Sequence, residues 1–365
     1  MRRSLAWIAA TLALALIAGC SGQPASQPQP GTNTAPKTQS DPAQGNSGRM
    51  VDTSKFKKDR PVKIHWASFW AGSPWMAAMG EHLQQEFAKY PNVTFTYSDG
   101  QNKKEKLIAD IEDAANKNPD LIIVTAGDAE SPRDVVATAV KKGIPVVALQ
   151  KVINGDEVTA KVFADDVQIG KEQAKSVVEA LTKKNGLPKG TYALMTAVAG
   201  SSLTNSRLKA YKEVLDQYPD IKKVADQTNI NTRDQARSVM EDLIQRNQNI
   251  DVVLGMIDEE AMGAALAVRD AKKVGQYLIV GANAQSEVLQ LIKTNEVYNS
   301  YWVPDAVDKG VAIAMQILQG EPVPFTTIVD GQMVDKTNVD QALNPKCFVY
   351  RGPEHKAHSK QADGC

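Results

Sequence analysis

Cysteine and histidine are scarce in this sequence, and neither sign of charge is in excess. Three cysteines among 365 residues are too few for a disulfide-stapled scaffold or a cysteine-rich zinc module. Four histidines leave little room for a histidine-based metal site. The 42 Lys and Arg balance 42 Asp and Glu, and leaving out residues 1–19, with Arg2 and Arg3, makes this 40 against 42. Proteins that bind nucleic acid through charge need an excess of Lys and Arg, so we expect no nucleic-acid partner.

The motifs of common nucleotide-dependent and hydrolytic enzymes are also absent. The chain has no GxxxxGK(S/T), no GxGxxG after a strand, and no GxSxG, HExxH or CxxC. His65 falls in a predicted strand beside Trp66, and His82 falls on a predicted helix face. We therefore expect neither an enzyme nor a cofactor or metal requirement.

The first twenty residues predict export and lipidation. Arg2 and Arg3 precede an apolar run from Leu5 to Ile17, which is too short for a permanent membrane span. The run leads into LIAGC, residues 16–20, which resembles a bacterial lipobox. We interpret residues 1–19 as a signal peptide and Cys20 as the acylated first residue of the mature protein. The alternative is an ordinary signal peptide with a chance cysteine.

The segment after Cys20 has the composition of a tether. Residues 21–49 are mostly Gln, Pro, Ser, Thr, Gly and Asn, and such a segment cannot bury enough apolar surface to offset the loss of chain entropy. We predict that residues 20–60 form a disordered, lipid-anchored tether, which holds a globular domain away from the membrane. The expected location is extracytoplasmic, at the cell surface or in the periplasm.

From about Pro61 onward, β-rich apolar runs alternate with helical patterns. The runs LIIV and VVAL are typical of strands covered on both faces. Residues 103–117 and 232–247 show the helical period, and Thr232 is a candidate helix start. The predicted strands are Val62–Ala67, Val93–Tyr97, Leu121–Thr125, Val146–Leu149, Tyr192–Thr196, Val252–Gly255, Leu278–Gly281 and Val297–Trp302.

This alternation predicts an α/β fold, and the pattern occurs twice, over residues 62–149 and 160–302. We therefore expect two doubly wound, Rossmann-like lobes with parallel sheets. Ligands of such sheets bind beyond the carboxyl ends of the strands, so the cleft between the lobes is the expected site.

Six short motifs occur in order along the chain. They are Ser73-Pro74-Trp75-Met76, Leu121–Thr125 with Gly127-Asp128, Ala139–Leu149, Ala164-Asp165-Asp166 with Gly170, Asp258–Ala264 and Val280–Asn283. In their order and spacing together they resemble the motifs of type I periplasmic binding proteins of the ribose and galactose type, which serve ABC transporters. The resemblance covers about residues 61–345.

The resemblance implies a three-segment hinge, with crossings near 164–165, 302–303 and 328–329. One lobe would comprise 61–164 plus 303–328, and the other 165–302 plus 329–345, followed by a tail over 346–365. It also implies a monomer whose lobes close on a ligand and deliver it to an ABC permease in the membrane.

The resemblance further implies a set of ligand contacts. A sugar needs flat aromatic platforms and polar clamps, and we expect at least two of the four aromatic residues in the set to face the cleft. Asp165 and Asp166 are expected to serve the hinge and a helix start instead. The predicted contacts are Phe69, Trp70, Ser73, Trp75, Met76, Asp128, Gln150, Lys151, Asn205, Asn231, Ile257, Asp258, Asn283 and Trp302.

Several of these residues depart from the pattern of the family. Gln150-Lys151 stands where the family frequently has Asp-Arg. Asn205 stands where the family has an arginine, and Asn283 stands where it has an aspartate. Amides replace ionised clamps, and an amide makes weaker contacts than a charged group. A small neutral solute with an apolar face, such as a monosaccharide, modified sugar or polyol, fits this set best.

Other interpretations remain open at this stage. A sensory lipoprotein of the same fold would bind a sugar, nucleoside or furanone and signal to a membrane receptor. A surface enzyme lacks support from any catalytic cluster, and a lactose-repressor-type regulator conflicts with the export signal. In the tail, Cys347 and Cys365 could pair or stay free. His355 and His358 would lie in a loosely ordered segment or in a weak metal site.

Overall fold

The computed structural model describes residues 48–344, apart from 73, 152, 247 and 248. The predictions for Cys20, Ser73, Cys347, Cys365 and the two tail histidines concern residues outside this set. None of the helices in the described part of the chain combines the length and hydropathy of a membrane span.

The first lobe is built on a six-stranded parallel sheet in the order β13-β6-β5-β4-β2-β3. A separate antiparallel pair joins β1, which precedes β2 in the chain, to β12, which directly precedes β13. Its central strands are completely buried because their apolar runs are covered by helices on both faces. The strands are β1 (Met50–Val51), β2 (Val62–Ser68), β3 (Val93–Asp99), β4 (Leu121–Thr125), β5 (Val146–Leu149), β6 (Ala160–Phe163), β12 (Val323–Pro324) and β13 (Thr326–Ile328).

The second lobe repeats this plan in the order β14-β11-β10-β9-β7-β8, with only the β11–β14 pair antiparallel. Together the two sheets confirm the predicted α/β class with two doubly wound lobes. The strands are β7 (Gly190–Met195), β8 (Ile221–Gln227), β9 (Val252–Gly255), β10 (Leu278–Ala282), β11 (Asn299–Trp302) and β14 (Gln332–Asp335).

Helices connect the strands and cover the sheets. Thr232 caps α6 as predicted, through a reciprocal capping box with Gln235. The helices that pack on the first sheet are α1 (Pro74–Phe87), α2 (Lys104–Asn116), α3 (Arg133–Lys141) and α9 (Val307–Gln319). Those of the second lobe are α4 (Asp166–Asn185), α5 (Ser202–Leu215), α6 (Arg233–Gln245), α7 (Asp258–Asp270), α8 (Ser286–Lys293) and α10 (Val339–Ala342).

The chain passes between the two sheets along three connections in the described region. They run from β6 to α4, from β11 to α9 and from β13 to β14, through residues 164–165, 303–306 and 329–331. The crossings predicted near 164–165, 302–303 and 328–329 fall at or beside these connections. Connections of this kind between two lobes are where hinges are found in proteins whose domains close on a ligand.

Candidate ligand-binding site

A small apolar cluster lies where the connections meet the second sheet. We call it the interlobe cluster, and it consists of Ala164, Ile169, Ala282, Tyr301 and Val303. Two of these residues belong to the connections, and the others come from α4, β10 and β11 of the second lobe. The cluster therefore marks the boundary at which a two-lobed α/β protein binds its ligand.

Trp75, in the first turn of α1, packs against the interlobe cluster from the first lobe. Its indole Nε1 is buried and has no hydrogen-bond partner among the described residues. A buried indole N–H normally finds a partner, because burying an unpaired donor costs about 1–3 kcal/mol. This indole thus offers an aromatic face and an unused donor at the boundary between the lobes.

Asn283 follows β10, directly after Ala282 of the interlobe cluster. Its backbone N–H donates to the Tyr301 carbonyl at 2.8 Å, and its φ is +123°. Its half-buried side-chain amide makes no hydrogen bond to any described residue. The amide can both donate and accept, which suits a ligand hydroxyl.

Asp258, at the start of α7, was expected to contact a ligand, and the structure gives it a different place. The side chain is fully buried. Its Oδ1 accepts from the Ser300 hydroxyl at 2.6 Å and its Oδ2 from the Gln285 N–H at 2.7 Å. Burial raises the pKa of Asp258 to about 7, although these hydrogen bonds act in the opposite direction. The structure therefore does not place Asp258 where the sequence predicted a ligand contact, because both of its oxygens are bonded inside the second lobe.

The other aromatic residues predicted for the site occupy varied surroundings. Phe69 packs in the first-lobe core, where a Cβ on Gly127 would lie 2.6 Å from its ring, so only glycine fits there. Trp70 is 44% exposed, and Met76 packs on the first-lobe core. Trp302 packs on the second-lobe core. Of the four aromatics, the structure brings Trp75 to the interlobe cluster, and cleft contacts for the others stay predictions.

Asp128 is held within its own loop. It accepts from the Ser131 N–H and hydroxyl, both at 2.8 Å, and pairs with Lys104 at 3.0 Å. Partial burial raises the pKa of Asp128, but the bonds from Ser131, Lys104 and the Glu130 N–H outweigh it and lower the pKa to about 2. Asp128 is therefore ionised at neutral pH and shapes the turn that follows β4.

Gln150 and Lys151 lie at the end of β5, beside the first two connections. The Gln150 amide donates to Pro304 O at 2.8 Å and accepts from the Ala164 N–H at 3.1 Å. Lys151 Nζ lies 3.6 Å from Asp166 Oδ2. We expected both as polar clamps; the structure shows Gln150 bonded to the first two connections, and ligand contacts for both residues stay predictions.

Three predicted contacts lie at loops and helix starts of the second lobe. Asn205 and Asn231 are exposed, and their amides donate to Gly200 O at 3.3 Å and Asn229 O at 3.2 Å. Ile257 is half-buried just before α7. None of the three belongs to the interlobe cluster, and their contacts with a ligand stay predictions.

Arg207 is a buried residue at this boundary that was not predicted as a site residue. Arg207 is 1% exposed, and its guanidinium donates to Asp166 Oδ1 at 2.8 and 3.0 Å and to Met256 O at 2.7 Å. Burial raises the pKa of Asp166, but the charges of Lys151 and Arg207 outweigh it and lower the pKa. The available signal in the sequence was the spacing of Arg207 with Ala210, Tyr211 and Leu215, which places the arginine on the buried face of α5.

His82, on α1, is at the centre of a cluster of carboxylates. Its Nδ1 lies 2.8 Å from Asp305 Oδ2, and its Nε2 lies 3.2 Å from Asp308 Oδ1 and 3.5 Å from Glu86 Oε1. His82, Glu86 and Asp308 each place one ligand atom within 4.8 Å of the others and could hold a metal ion. Burial lowers the pKa of His82, but hydrogen bonds and charges of Asp305 and Asp308 raise it to about 10. His82 is therefore protonated at neutral pH, and a protonated imidazole does not bind a metal ion. We interpret the cluster as an ion-pair network between His82 and the carboxylates.

The chain matches the protein family described as "Periplasmic binding protein domain" over residues 65–322. It is 27% identical over 267 residues to the xylitol-binding protein of Mycolicibacterium smegmatis, which covers 72% of this chain and 75% of that protein. It is 31% identical over 242 residues to the D-allose-binding periplasmic protein of Escherichia coli, which covers 63% of this chain and 76% of that protein.

A solved ABC transporter solute-binding protein from Bacillus halodurans, with bound myo-inositol, has the same fold. The TM-score is 0.72 at 24% identity, and the match covers 78% of this chain and 98% of that one. At this identity the likeness concerns the fold alone. It agrees with the two lobes that the sheets define.

Proposed function

Because the chain belongs to the periplasmic binding protein family, a family of binding proteins and not of enzymes, we propose that it captures a small neutral polyhydroxylated solute between its lobes. A monosaccharide, a modified sugar or a polyol would fit. The names of the relatives, which bind xylitol and D-allose, support this ligand class.

The observation that carries the proposal is the position of Trp75 against the interlobe cluster. A sugar or polyol presents C–H groups on its faces and hydroxyls at its edges. The Trp75 ring can cover a C–H face, and its unpartnered N–H can donate to a hydroxyl. The unbonded amide of Asn283, next to Ala282 of the same cluster, can bind a second hydroxyl.

The charges near the connections support a neutral ligand. Asp166 lies between Arg207 and Lys151 and is bonded to the first and paired with the second. Arg207 is also buried and committed to the Met256 carbonyl, so it is not available to a ligand carboxylate or phosphate. Among the described residues at these connections, Asp166 and Arg207 are thus already paired with each other and do not offer a free charge to a charged solute.

The wider role follows from the family and the N-terminal sequence. We infer that the lobes close on the solute and that the closed form delivers it to an ABC permease. The lipobox-like residues 16–20 support an anchor at Cys20, and an anchored protein would keep captured solute near the membrane.

A thermal-shift screen of the purified protein tests the proposal. The panel contains xylitol, D-allose, D-ribose and myo-inositol, with a nucleoside, a furanone and L-glutamate as contrasting solutes. A ligand at a hundredfold excess over its Kd stabilises the native state by about 2.7 kcal/mol. We expect a clear rise in Tm with a sugar or polyol. A rise with only the contrasting solutes, or with none of the panel, would contradict the proposal.

Two variants of one residue then locate the site. Trp75→Phe keeps an aromatic face and removes the indole N–H, whereas Trp75→Ala removes both. We expect a weaker shift with the first variant and none with the second. Tyr97→Ala, at an aromatic residue that is 55% exposed and outside the predicted contact set, serves as a control for the loss of an aromatic ring elsewhere. Equal shifts in all three variants would place the ligand away from Trp75.

A further inference from the structure

The turn after β10 holds two consecutive non-glycine residues in left-handed backbone conformations. Asn283 has φ +123° and Ala284 has φ +51°. Residues with a Cβ are strained in this region, and such strain persists only where the surroundings impose it, most often at functional sites. Ala284 is 2% exposed, so the turn is also tightly packed.

Three consecutive backbone N–H groups of this turn are bound by neighbouring elements. Asn283 N donates to Tyr301 O at 2.8 Å, Ala284 N to Ser300 Oγ at 3.0 Å, and Gln285 N to Asp258 Oδ2 at 2.7 Å. The Ser300 hydroxyl in turn donates to Asp258 Oδ1 at 2.6 Å. The hydroxyl and the carboxylate thus act as one buried unit that joins α7, the turn and β11.

Gly281 provides the space for this unit. A Cβ at this position would lie 2.6 Å from Asp258 Oδ1 and 3.0 Å from the Ala261 side chain. The strand therefore lacks a side chain at the point where the carboxylate approaches it. Both Asp258 and Ser300 have no exposed surface, so a ligand in the cleft does not reach them.

The side chain of Asn283 differs from its backbone in having no partner among the described residues. Its position is set by the turn, because the backbone is fixed on either side by the bonds to Tyr301 and Ser300. The Tyr301 side chain also belongs to the interlobe cluster on which Trp75 packs. The fixed turn and the candidate ligand site are therefore adjacent.

We propose that Asp258 and Ser300 are positioning residues for ligand binding, which hold the Asn283–Ala284 turn and thereby place the Asn283 amide without touching the ligand. This inference rests on the proposed function. It assigns the affinity for a polyhydroxylated solute in part to two buried side chains of the second lobe. A site whose donor is fixed before binding loses less entropy when the ligand arrives.

A double-mutant cycle tests the proposal, with calorimetric titration of whichever of xylitol, D-allose, D-ribose and myo-inositol the wild type binds. We expect Asn283→Ala and Ser300→Ala each to weaken binding at least tenfold. If Ser300 acts through Asn283, the double variant binds within about twofold of Asn283→Ala. If the two losses multiply, the proposal is wrong. Ser286→Ala, at the first residue of α8 and outside the unit, should bind within twofold of the wild type.

Hydrogen exchange of the ligand-free protein provides a second, independent readout. We expect slow exchange of the Ala284 and Gln285 amides in the wild type, and at least tenfold faster exchange in Ser300→Ala and Asp258→Asn. Faster exchange with unchanged affinity would overturn the positioning role and leave the proposed function intact. If the wild type binds none of the four solutes, the proposed function fails, and unchanged exchange in the variants would overturn the positioning unit itself.

Discussion

The side-chain amide of Gln150 donates to the Pro304 carbonyl at 2.8 Å and so joins the end of β5 to the second connection. The other end of the same amide accepts from the Ala164 N–H, on the first connection, at 3.1 Å. One side chain, only 5% exposed and with φ +67°, thus ties two connections to the end of β5. A polar group, as well as apolar packing, therefore holds these connections in place.

Replacing Gln150 tests this hinge role. Gln150→Ala would leave a buried carbonyl and a buried N–H without partners, and we expect a loss of about 1–3 kcal/mol in the free energy of unfolding. Urea denaturation of the wild type and the variant measures this loss. Gln168→Ala removes an exposed amide that donates to Glu172, and we expect a change within about 0.5 kcal/mol. Similar small losses in both variants would show that the Gln150 bonds contribute little.

The His82 network predicts a pH dependence of stability. The folded-state pKa of His82 is raised from 6.5 to about 10, so its stabilising contribution is complete below pH 6.5 and is lost as the pH rises towards 10. We expect the wild type to exceed His82→Gln by a few kcal/mol at pH 6 and by much less at pH 10. The comparison uses urea denaturation at both pH values. A difference that does not change with pH would contradict the ion-pair interpretation.

The raised pKa of Asp258 also predicts that the stability of the protein falls as the pH rises, but here burial is the cause and not an ion pair. Burial raises its pKa from 3.8 to about 7, and the nearby charges of Glu259 and Glu287 add to the effect. The fold therefore favours the protonated form, and stability falls as the pH rises from about 4 to 7. We expect the stability of the wild type relative to Asp258→Asn to fall by about 3–4 kcal/mol over this range. A relative stability that rises would mean that the hydrogen bonds outweigh burial.

Gly281→Ala should disturb the same region from the side of β10. The added Cβ would meet Asp258 Oδ1 at 2.6 Å, and overpacking a buried site costs about 1–3 kcal/mol. Thermal unfolding should show a lower Tm. Combining Gly281→Ala with Asp258→Ala should restore part of the loss, because the second change removes the clashing atom. No restoration would indicate that the contact with the Ala261 side chain dominates.

The N-terminal prediction is tested by fractionation of cells that produce the full chain. Cys20→Ala removes the thiol that the lipobox-like sequence offers for acylation, so we expect the protein to leave the membrane fraction. Cys347→Ala, at a cysteine far from the signal, should stay with the membrane. Equal membrane association of both variants would contradict anchoring through Cys20.

Much of the fold could be predicted because the signal is local. The strands Leu121–Thr125, Val146–Leu149 and Val252–Gly255 agree with prediction to the residue, since each is a continuous apolar run. Strand β6 was missed because Lys161 interrupts its apolar run, and the structure buries that lysine by bonding its Nζ to Gly155 O at 2.8 Å. Strand β8 was missed because this edge strand exposes charged side chains on both faces.

The site was harder to predict because its important contacts join distant parts of the chain. Trp75 and Asn283 were named from short motifs beside predicted strands, and both lie at or next to the interlobe cluster. Nothing near Ser300 in the sequence points to Asp258, which lies 42 residues away. The register of β10 and β11 brings them together, and sequence spacing alone does not fix that register.

Calorimetric titration of the wild type, Trp75→Ala and Asn283→Ala with xylitol, D-allose, D-ribose and myo-inositol tests the central claim most directly. We predict that the wild type binds at least one of the four with a Kd in the micromolar range or below. Both variants should bind that solute at least tenfold more weakly while unfolding within a few degrees of the wild type. Wild-type binding that survives both substitutions, or no binding to any of the four, would contradict the account.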